Sequence, residues 1–273
     1  MKDSSQPSVL IVILNYNTYK LTLQLIERIH TKLDYGNYQI YVIDNCSPNE
    51  SAKVLQEGAG SYLFYANNKN AGYAAGNNIG IRYGIEHGYK YTWILNNDVL
   101  ITDENVLRHM VSIMEQKPEI GCVGPKIISR SGTPVAPYVR RRSFWQMTFG
   151  IFEDKKFRER NIDKAQQVYR VYGCCMLLRN SKMQEIDCLD ERTFLYGEEE
   201  ILAERMLKAG SYSYYDADVS VIHNESSSVA KDKSKHLEAK KSRNLYLTEY
   251  RKFNRFEIGL CDFIAYCNDA LRG

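Results

Sequence analysis

The stretch VLIVILNYNTYKLTLQLIERIHTKLDYGNYQIYVID, residues 9–44, decides the fold. Its opening run, residues 9–14 (VLIVIL), is apolar throughout and of strand length, which predicts a strand buried on both faces. Leu21, Leu25, Ile26 and Ile29 then recur at helical spacing and predict a helix to about Leu33. Residues 39–44 (QIYVID) form a second strand that ends in a carboxylate. A buried strand, a helix and another buried strand predict a parallel pair joined by a crossover.

The same alternation continues outward. Ser47-Pro48 opens a second helix, residues 62–65 a third strand, residues 78–87 a helix and residues 91–95 (YTWIL) a fourth strand. Residues 102–115 read as a helix with Thr102 as N-cap, and residues 120–128 as a further strand. This pattern predicts an α/β fold with a mostly parallel sheet flanked by helices. In such sheets ligands bind beyond the carboxyl ends of the strands. The polar residues collect there: Asn15 and Asn17, then Asp44, then residues 67–70, then residues 96–98. The second half is less regular, with a loop or hairpin at 129–142, strands within 168–179, a helix at 197–209 and short strands at 212–216 and 219–223. Residues 232–256 read as helical, basic and aromatic.

A chain of 273 residues is long enough to bury a sizeable core, and a net charge of +3 gives no argument for nucleic acid. The 21 tyrosines suit sugar or nucleotide faces as well as ordinary cores. Seven cysteines with no CxxC pair read as reduced thiols of a cytosolic protein. No signal peptide is expected, and no stretch approaches the roughly 20 apolar residues that span a bilayer.

Four segments could carry chemistry. Asn96-Asn97-Asp98 puts a carboxylate flanked by amides at a strand end, suited to a hard cation that holds a diphosphate; such a run also makes an ordinary turn. In residues 70–80 (NAGYAAGNNIG), small residues allow close backbone approach to an anionic ligand, or simply a helix lying close on the sheet. The spacing is neither GxGxxG nor a P-loop. At residues 198–209, a helical wheel puts Glu199 at the centre of an apolar face, Glu198 at its edge, and Glu200 and Glu204 opposite. A carboxylate aimed inward is a candidate general base, whereas the helix dipole accounts for all three acids without any catalysis. His223, at a strand end, can ligate a metal or serve structure.

The ordered set LNYN, VIDN, NNKNAGYAAGNNIGI, WILNND, GCCMLLR, FLYGEEEILAERMLKAG and VIHNESSS resembles the family 2 glycosyltransferases. It is most similar to the branch of bacterial rhamnosyltransferases that act in surface polysaccharide synthesis. The resemblance implies a GT-A fold at 1–228, with a nucleotide-sugar half at about 8–128 and an acceptor half at about 129–228. A basic amphipathic helical extension follows at 229–273. It also implies an inverting, Mg²⁺- or Mn²⁺-dependent hexosyltransferase that uses a nucleotide-diphosphate sugar, with dTDP-rhamnose expected first and a UDP-hexose or UDP-galactofuranose as alternatives. The implied acceptor is a lipid-linked glycan, and the implied location is cytoplasmic, peripheral on the inner face of the membrane.

By position, Asn15, Asn17, Asp44, Asn70, Gly72, Asn77 and Asn97 line the donor pocket, Asp98 and His223 lie at the metal, and Glu199 is the base with Glu198 as its rival. Two departures stand out: Asn96 replaces the first Asp of Asp-x-Asp, and Glu198-Glu199-Glu200-Ile201 replaces Glu-Asp-x-Asp. A pyrophosphorylase would need a basic glycine-rich loop after the first strand, and an NAD enzyme would need GxGxxG there; residues 15–18 (NYNT) offer neither. A non-catalytic sugar-nucleotide-binding subunit remains as a rival.

Overall fold

The structure is a computed structural model that describes residues 6–149, 161–224 and 233–270. Of the residues singled out above, 225–228 and Lys231 lie outside the described residues, as do the side chains of Lys233 and Lys235.

The parallel unit at the N-terminus forms as its apolar pattern requires. Strand β1 (Val9–Asn15) pairs in parallel with β2 (Tyr38–Asp44), across helix α1 (Tyr19–Lys32). Strand β3 (Leu63–Ala66) extends that side after α2 (Ser51–Glu57), and β4 (Tyr91–Leu95) flanks β1 on the other. The register lines up Asn15, Asp44 and Ala66 in one row at the carboxyl edge.

Beyond β4 the sheet becomes mixed. Strand β5 (Val99–Ile101) and helix α4 (Val106–Gln116) precede β6 (Ile120–Ser129). Strands β7 (Gln166–Val168), β8 (Cys175–Arg179) and β9 (Tyr212–His223) complete it in the order β3-β2-β1-β4-β8-β6-β9-β5, with β7 beside β9. Strand β8 runs antiparallel to β4 and pairs Cys175 with Leu95, so the residues just before it reach the same edge as Asn15 and Asp44. His223 sits opposite both Ser129 and Val99 at that edge.

Helix α3 (Gly72–Glu86) begins six residues earlier than the sequence pattern placed it. The glycine-rich run is its opening turns, and the reading of a helix lying close on the sheet accounts for it. A Cβ on Gly80 would come within 2.5 Å of Val12, and one on Gly76 within 2.7 Å of Leu14. Two apolar faces cover the sheet: Ile11 and Ile13 face Leu25, Ile29 and Met110, while Ile94 and Met176 face Ile81, Met183 and Met206.

The remaining helices shape the second half: α5 (Phe144–Phe149), α6 (Asn180–Glu185), α7 (Glu198–Lys208), α8 (Lys233–Leu245) and α9 (Arg255–Ala270). Thr102 is no N-cap, because residues 99–101 pair with β9 and α4 starts only at Val106. The two short strands expected at 212–223 are one strand with a bulge near Asp216. The terminal segment breaks at a π-helical turn, Tyr246–Tyr250, before α9, and α9 lies against α5.

Candidate active site

At the donor end, the motif residues bind one another. Asn15 Nδ2 donates to Asp44 Oδ1 at 2.8 Å, and Asn15 Oδ1 accepts from Thr22 Oγ1 at 2.9 Å. Asp44 also accepts from the Ser47 hydroxyl at 2.7 Å and from the Ser47 N–H at 2.9 Å. Asn97 Nδ2 donates to Thr18 Oγ1 at 2.8 Å and Thr22 Oγ1 at 2.9 Å. Asn17 lies exposed in the left-handed region, its N–H on Ser47 Oγ at 2.8 Å. Asn15 and Asp44 are therefore braces for the strand ends.

Asn45, which the residue-by-residue reading passed over, is a second hub. It donates to Asn70 Oδ1 at 2.9 Å and to the Gly72 carbonyl at 3.1 Å, and accepts from Asn67 at 3.0 Å. It could have been found within the VIDN run. Gly72 has φ +88°, and a Cβ there would run into the Phe194 carbonyl, to which the Tyr73 N–H donates at 2.8 Å. The loop of α3 is thus seated on the segment that leads into α7. Asn77 is fully buried; its amide donates to the Tyr73 carbonyl at 3.0 Å, while its oxygen has no hydrogen-bond partner.

Asp98 and His223 meet at the middle of the edge. Asp98 Oδ1 lies 3.3 Å from His223 Nε2, both side chains 17% exposed, yet this buried oxygen accepts no well-directed hydrogen bond. The Asp98 carbonyl accepts the Asn224 N–H at 3.0 Å, which ties the two segments together. Burial works to lower the imidazole, but the neighbouring Asp98 carboxylate and Cys174 thiol outweigh it and push His223 up to about 10, so a cation held here would take the place of the imidazole proton. A carboxylate oxygen lacking a donor, beside an imidazole, fits a divalent cation whose other positions diphosphate oxygens and water would fill. A cavity of about 820 Å³ adjoins Asp98, walled by α1, Arg28 and Arg130. A different group able to hold a cation, His109, Asp216 and Asp218, lies away from this edge, seven residues before His223 on β9.

Helix α7 brings its acids close by. Glu199 Oε1 accepts the Gly173 N–H at 3.0 Å, and a Cβ on Gly173 would sit 2.7 Å from that oxygen. The neighbouring Cys174 carbonyl accepts the Asn96 N–H at 2.9 Å, and its thiol, pushed up to about 11 by burial, lies beside His223. The Gly173-Cys174 turn therefore touches Glu199 on one side and the Asp98–His223 pair on the other. The helical-wheel placement needs correction. Glu198, only 5% exposed, is the buried acid, and its Oε1 has no hydrogen-bond partner. Burial, reinforced by the charge of Glu199, pushes it up to about 8. Glu200 does not face open solvent; it pairs with Arg170 at 2.8 Å. The wheel failed because α7 is enclosed on more than one side, by the sheet and by the terminal helices.

A mixed sheet whose parallel half feeds a polar edge, with Asp98 and His223 at its centre and acids to one side, is that of a GT-A-fold glycosyltransferase. The chain belongs to glycosyl transferase family 2, whose family model matches residues 10–187. It is 28% identical over 190 residues to a low-salt glycan biosynthesis hexosyltransferase of Haloferax volcanii, covering 69% of this chain and 58% of that one. It is 29% identical over 144 residues to an N-acetylglucosaminyl-diphospho-decaprenol L-rhamnosyltransferase of Mycobacterium tuberculosis, covering 48% of this chain and 47% of that one. The chain thus spans about half the length of these relatives. In structure it is similar to a mannosyltransferase of Pyrobaculum calidifontis solved with GDP-Man and Mn²⁺ (TM-score 0.60, 12% identity, 98% of this chain and 77% of that one). It is also similar to TarS of S. aureus solved with UDP-GlcNAc (TM-score 0.60, 12% identity, 94% of this chain and 70% of that one).

Proposed function

We propose that the protein is a metal-dependent, inverting sugar transferase that extends a lipid-linked glycan for a bacterial surface polysaccharide. Rhamnose from dTDP-rhamnose is the donor expected first, a reading supported by the name of the mycobacterial relative. A UDP-hexose or UDP-galactofuranose is the alternative, and the name of the halophile relative favours a hexose.

The observation that carries this reading is the Gly173-Cys174 turn, which joins Glu199 to the Asp98–His223 pair. In the reaction, Glu199 takes the proton of the acceptor hydroxyl. That oxygen forms the new bond to the anomeric carbon while the bond to the diphosphate oxygen breaks on the opposite face, so configuration inverts. The diphosphate leaves with the electron pair. Asp98 and His223 would hold a divalent cation, which when bound supplies positive charge against the departing diphosphate.

Glu199 is assigned the role ahead of Glu198 because it bonds the Gly173 N–H of the turn beside Asp98 and His223, whereas Glu198 is buried with its Oε1 unpartnered. The deciding experiment measures turnover and donor affinity of Glu199→Gln. Turnover is expected to fall by roughly 10²–10⁴ with donor affinity kept; near-normal turnover would falsify the assignment.

No helix among the described residues is long and apolar enough to cross a membrane. Peripheral contact is supported by Trp145, Phe256 and Phe263, exposed by 62%, 79% and 63% on α5 and α9, which lie against each other. Lys252 and Arg255 stand near Phe256 in the chain, a composition suited to an anionic membrane surface at a cytoplasmic location. The Phe256→Ser/Phe263→Ser variant is expected to lose retention on anionic vesicles.

A further inference from the structure

A cavity of about 460 Å³ borders the start of α7, and four of its lining residues are arginines: Arg140, Arg142, Arg170 and Arg243. Glu200 is the one carboxylate among the lining residues, and Gly197, the residue before α7, is part of the same wall. Guanidinium forks match the oxygens of phosphate groups, and several in one concave site are an anion-binding arrangement.

The wall is built before any ligand arrives. Tyr169 and Tyr246 share a hydrogen bond at 2.7 Å, and Tyr169 donates to Glu204 at 2.8 Å. Arg141 clamps Glu204 with two bonds, at 2.6 and 2.7 Å, and Arg251 donates to the Tyr246 hydroxyl at 2.8 Å. Burial pushes the Tyr169 hydroxyl far up, so it stays neutral and hydrogen-bonded. Arg170 is stacked on the Tyr138 ring, its guanidinium carbon 3.5 Å from the centroid, and is fixed by Glu200. Arg243 is held from α9 by Asp262 at 2.5 Å. Such pre-organisation lowers the ordering cost of binding.

The position matters as much as the composition. Arg170 lies three residues before Gly173, which touches Glu199, and Glu200 is the next residue after it. Glu199, which bonds Gly173, and Glu200, which lines the cavity, are adjacent in the first turn of α7.

We infer that this cavity is the subsite for a phosphate or diphosphate carried by the acceptor glycan. The inference rests on the transferase reading above and adds the place and the residues that would hold the acceptor's anionic phosphoester: Arg140, Arg142 and Arg243. The phosphate could belong to a lipid diphosphate or to a soluble sugar phosphate, and the chemistry recognised is the same.

The test is calorimetric binding to the whole protein with a chelator present, so that no probe is held through a divalent cation. Farnesyl diphosphate serves as the lipid probe and glucose 1-phosphate as the soluble one. Binding is expected to weaken roughly tenfold or more in Arg140→Gln/Arg142→Gln and in Arg243→Gln. It is expected to tighten in Glu200→Gln, which removes the opposing charge, and a merely structural role would not give that sign. Inorganic diphosphate, with the same phosphate count, is the control: farnesyl diphosphate binding tighter than it identifies a lipid source, and equal affinities identify the diphosphate alone. Unchanged affinity in all three arginine substitutions, or competition by UDP in chelator, overturns the inference. Binding of UDP or dTDP with Mn²⁺ is measured in parallel. If the unaltered protein takes neither nucleotide, the transferase reading fails, whatever the arginine variants do. If nucleotide binding survives in the arginine variants while the phosphate probes are lost, the subsite stands as separate.

Discussion

The two sides of the candidate cleft are held together by opposite means. On the donor side, Asn15, Asp44, Ser47, Thr22 and Asn97 are linked to one another by hydrogen bonds, and Asn45 ties Asn67, Asn70 and Gly72 together beside them. On the α7 side, a buried Glu198 oxygen has no partner, an acid is pushed up to about 8, and arginines crowd a cavity. At the ends of β1 and β2 the polar groups brace one another, while the Asn77 oxygen and Asp98 Oδ1 are left without a hydrogen-bond partner. The α7 side stores unfavourable burial of charge, which suits groups that must exchange protons or meet a charged ligand. A substitution on the first side should therefore act on stability, and one on the second on chemistry and pH response.

The sharpest break in that contrast is kinetic. Glu199→Gln should cost roughly 10²–10⁴ in turnover while the melting temperature shifts little, as assayed by transfer rate beside thermal unfolding. Next is Gly72→Ala, where a left-handed φ and the Phe194 carbonyl both oppose a side chain. It should destabilise by roughly 2–4 kcal/mol in denaturant unfolding. Asn15→Ala, which removes the bridge to Asp44 and Thr22, should cost roughly 1–3 kcal/mol. A loss of donor binding from Asn15→Ala at unchanged stability would erase the distinction between the two sides.

A pH comparison sharpens it further. Glu198 has its folded-state value raised from 4.5 to about 8, so the folded protein holds a proton that the unfolded chain releases. Its contribution is present below pH 4.5 and is lost as pH rises from there through about 8. Glu198→Gln should then raise the melting temperature by a few degrees at pH 8 and leave it nearly unchanged at pH 4. The smallest effect is reserved for the exposed pair Arg108–Asp34 at 2.9 Å, where Arg108→Ala should change stability by under about 1 kcal/mol.

Much of this was legible in the sequence, for identifiable reasons. The apolar runs of β1, β2 and β4 have no alternative to burial on both faces, so their parallel arrangement and their shared polar edge followed. Asp98 and His223, 125 residues apart, were both singled out and come within 3.3 Å. The start of α3 was missed because glycine has poor helix propensity, and only its fit against Val12 and Leu14 explains the choice. Strand β5 was hidden because its three residues owe their structure to β9. The burial of Glu198 could not be read from a wheel, since a wheel knows one buried face and α7 has more. The arginine cavity joins residues from 140 to 243 and exists only in three dimensions.

Strand β8 sits between β4 and β6 in the finished sheet, yet it is made long after both. At the ribosome, β4 is complete at Leu95 and its neighbour at Arg179. At roughly 5–20 residues per second, the growing polypeptide carries an unpaired apolar edge for some 4–17 seconds. Nascent chains stalled near residue 130 should accordingly recruit chaperones or associate with one another, whereas chains released beyond β9 should not. The late strand that brings Cys174 to the cleft thus also makes the newborn protein vulnerable during its own translation.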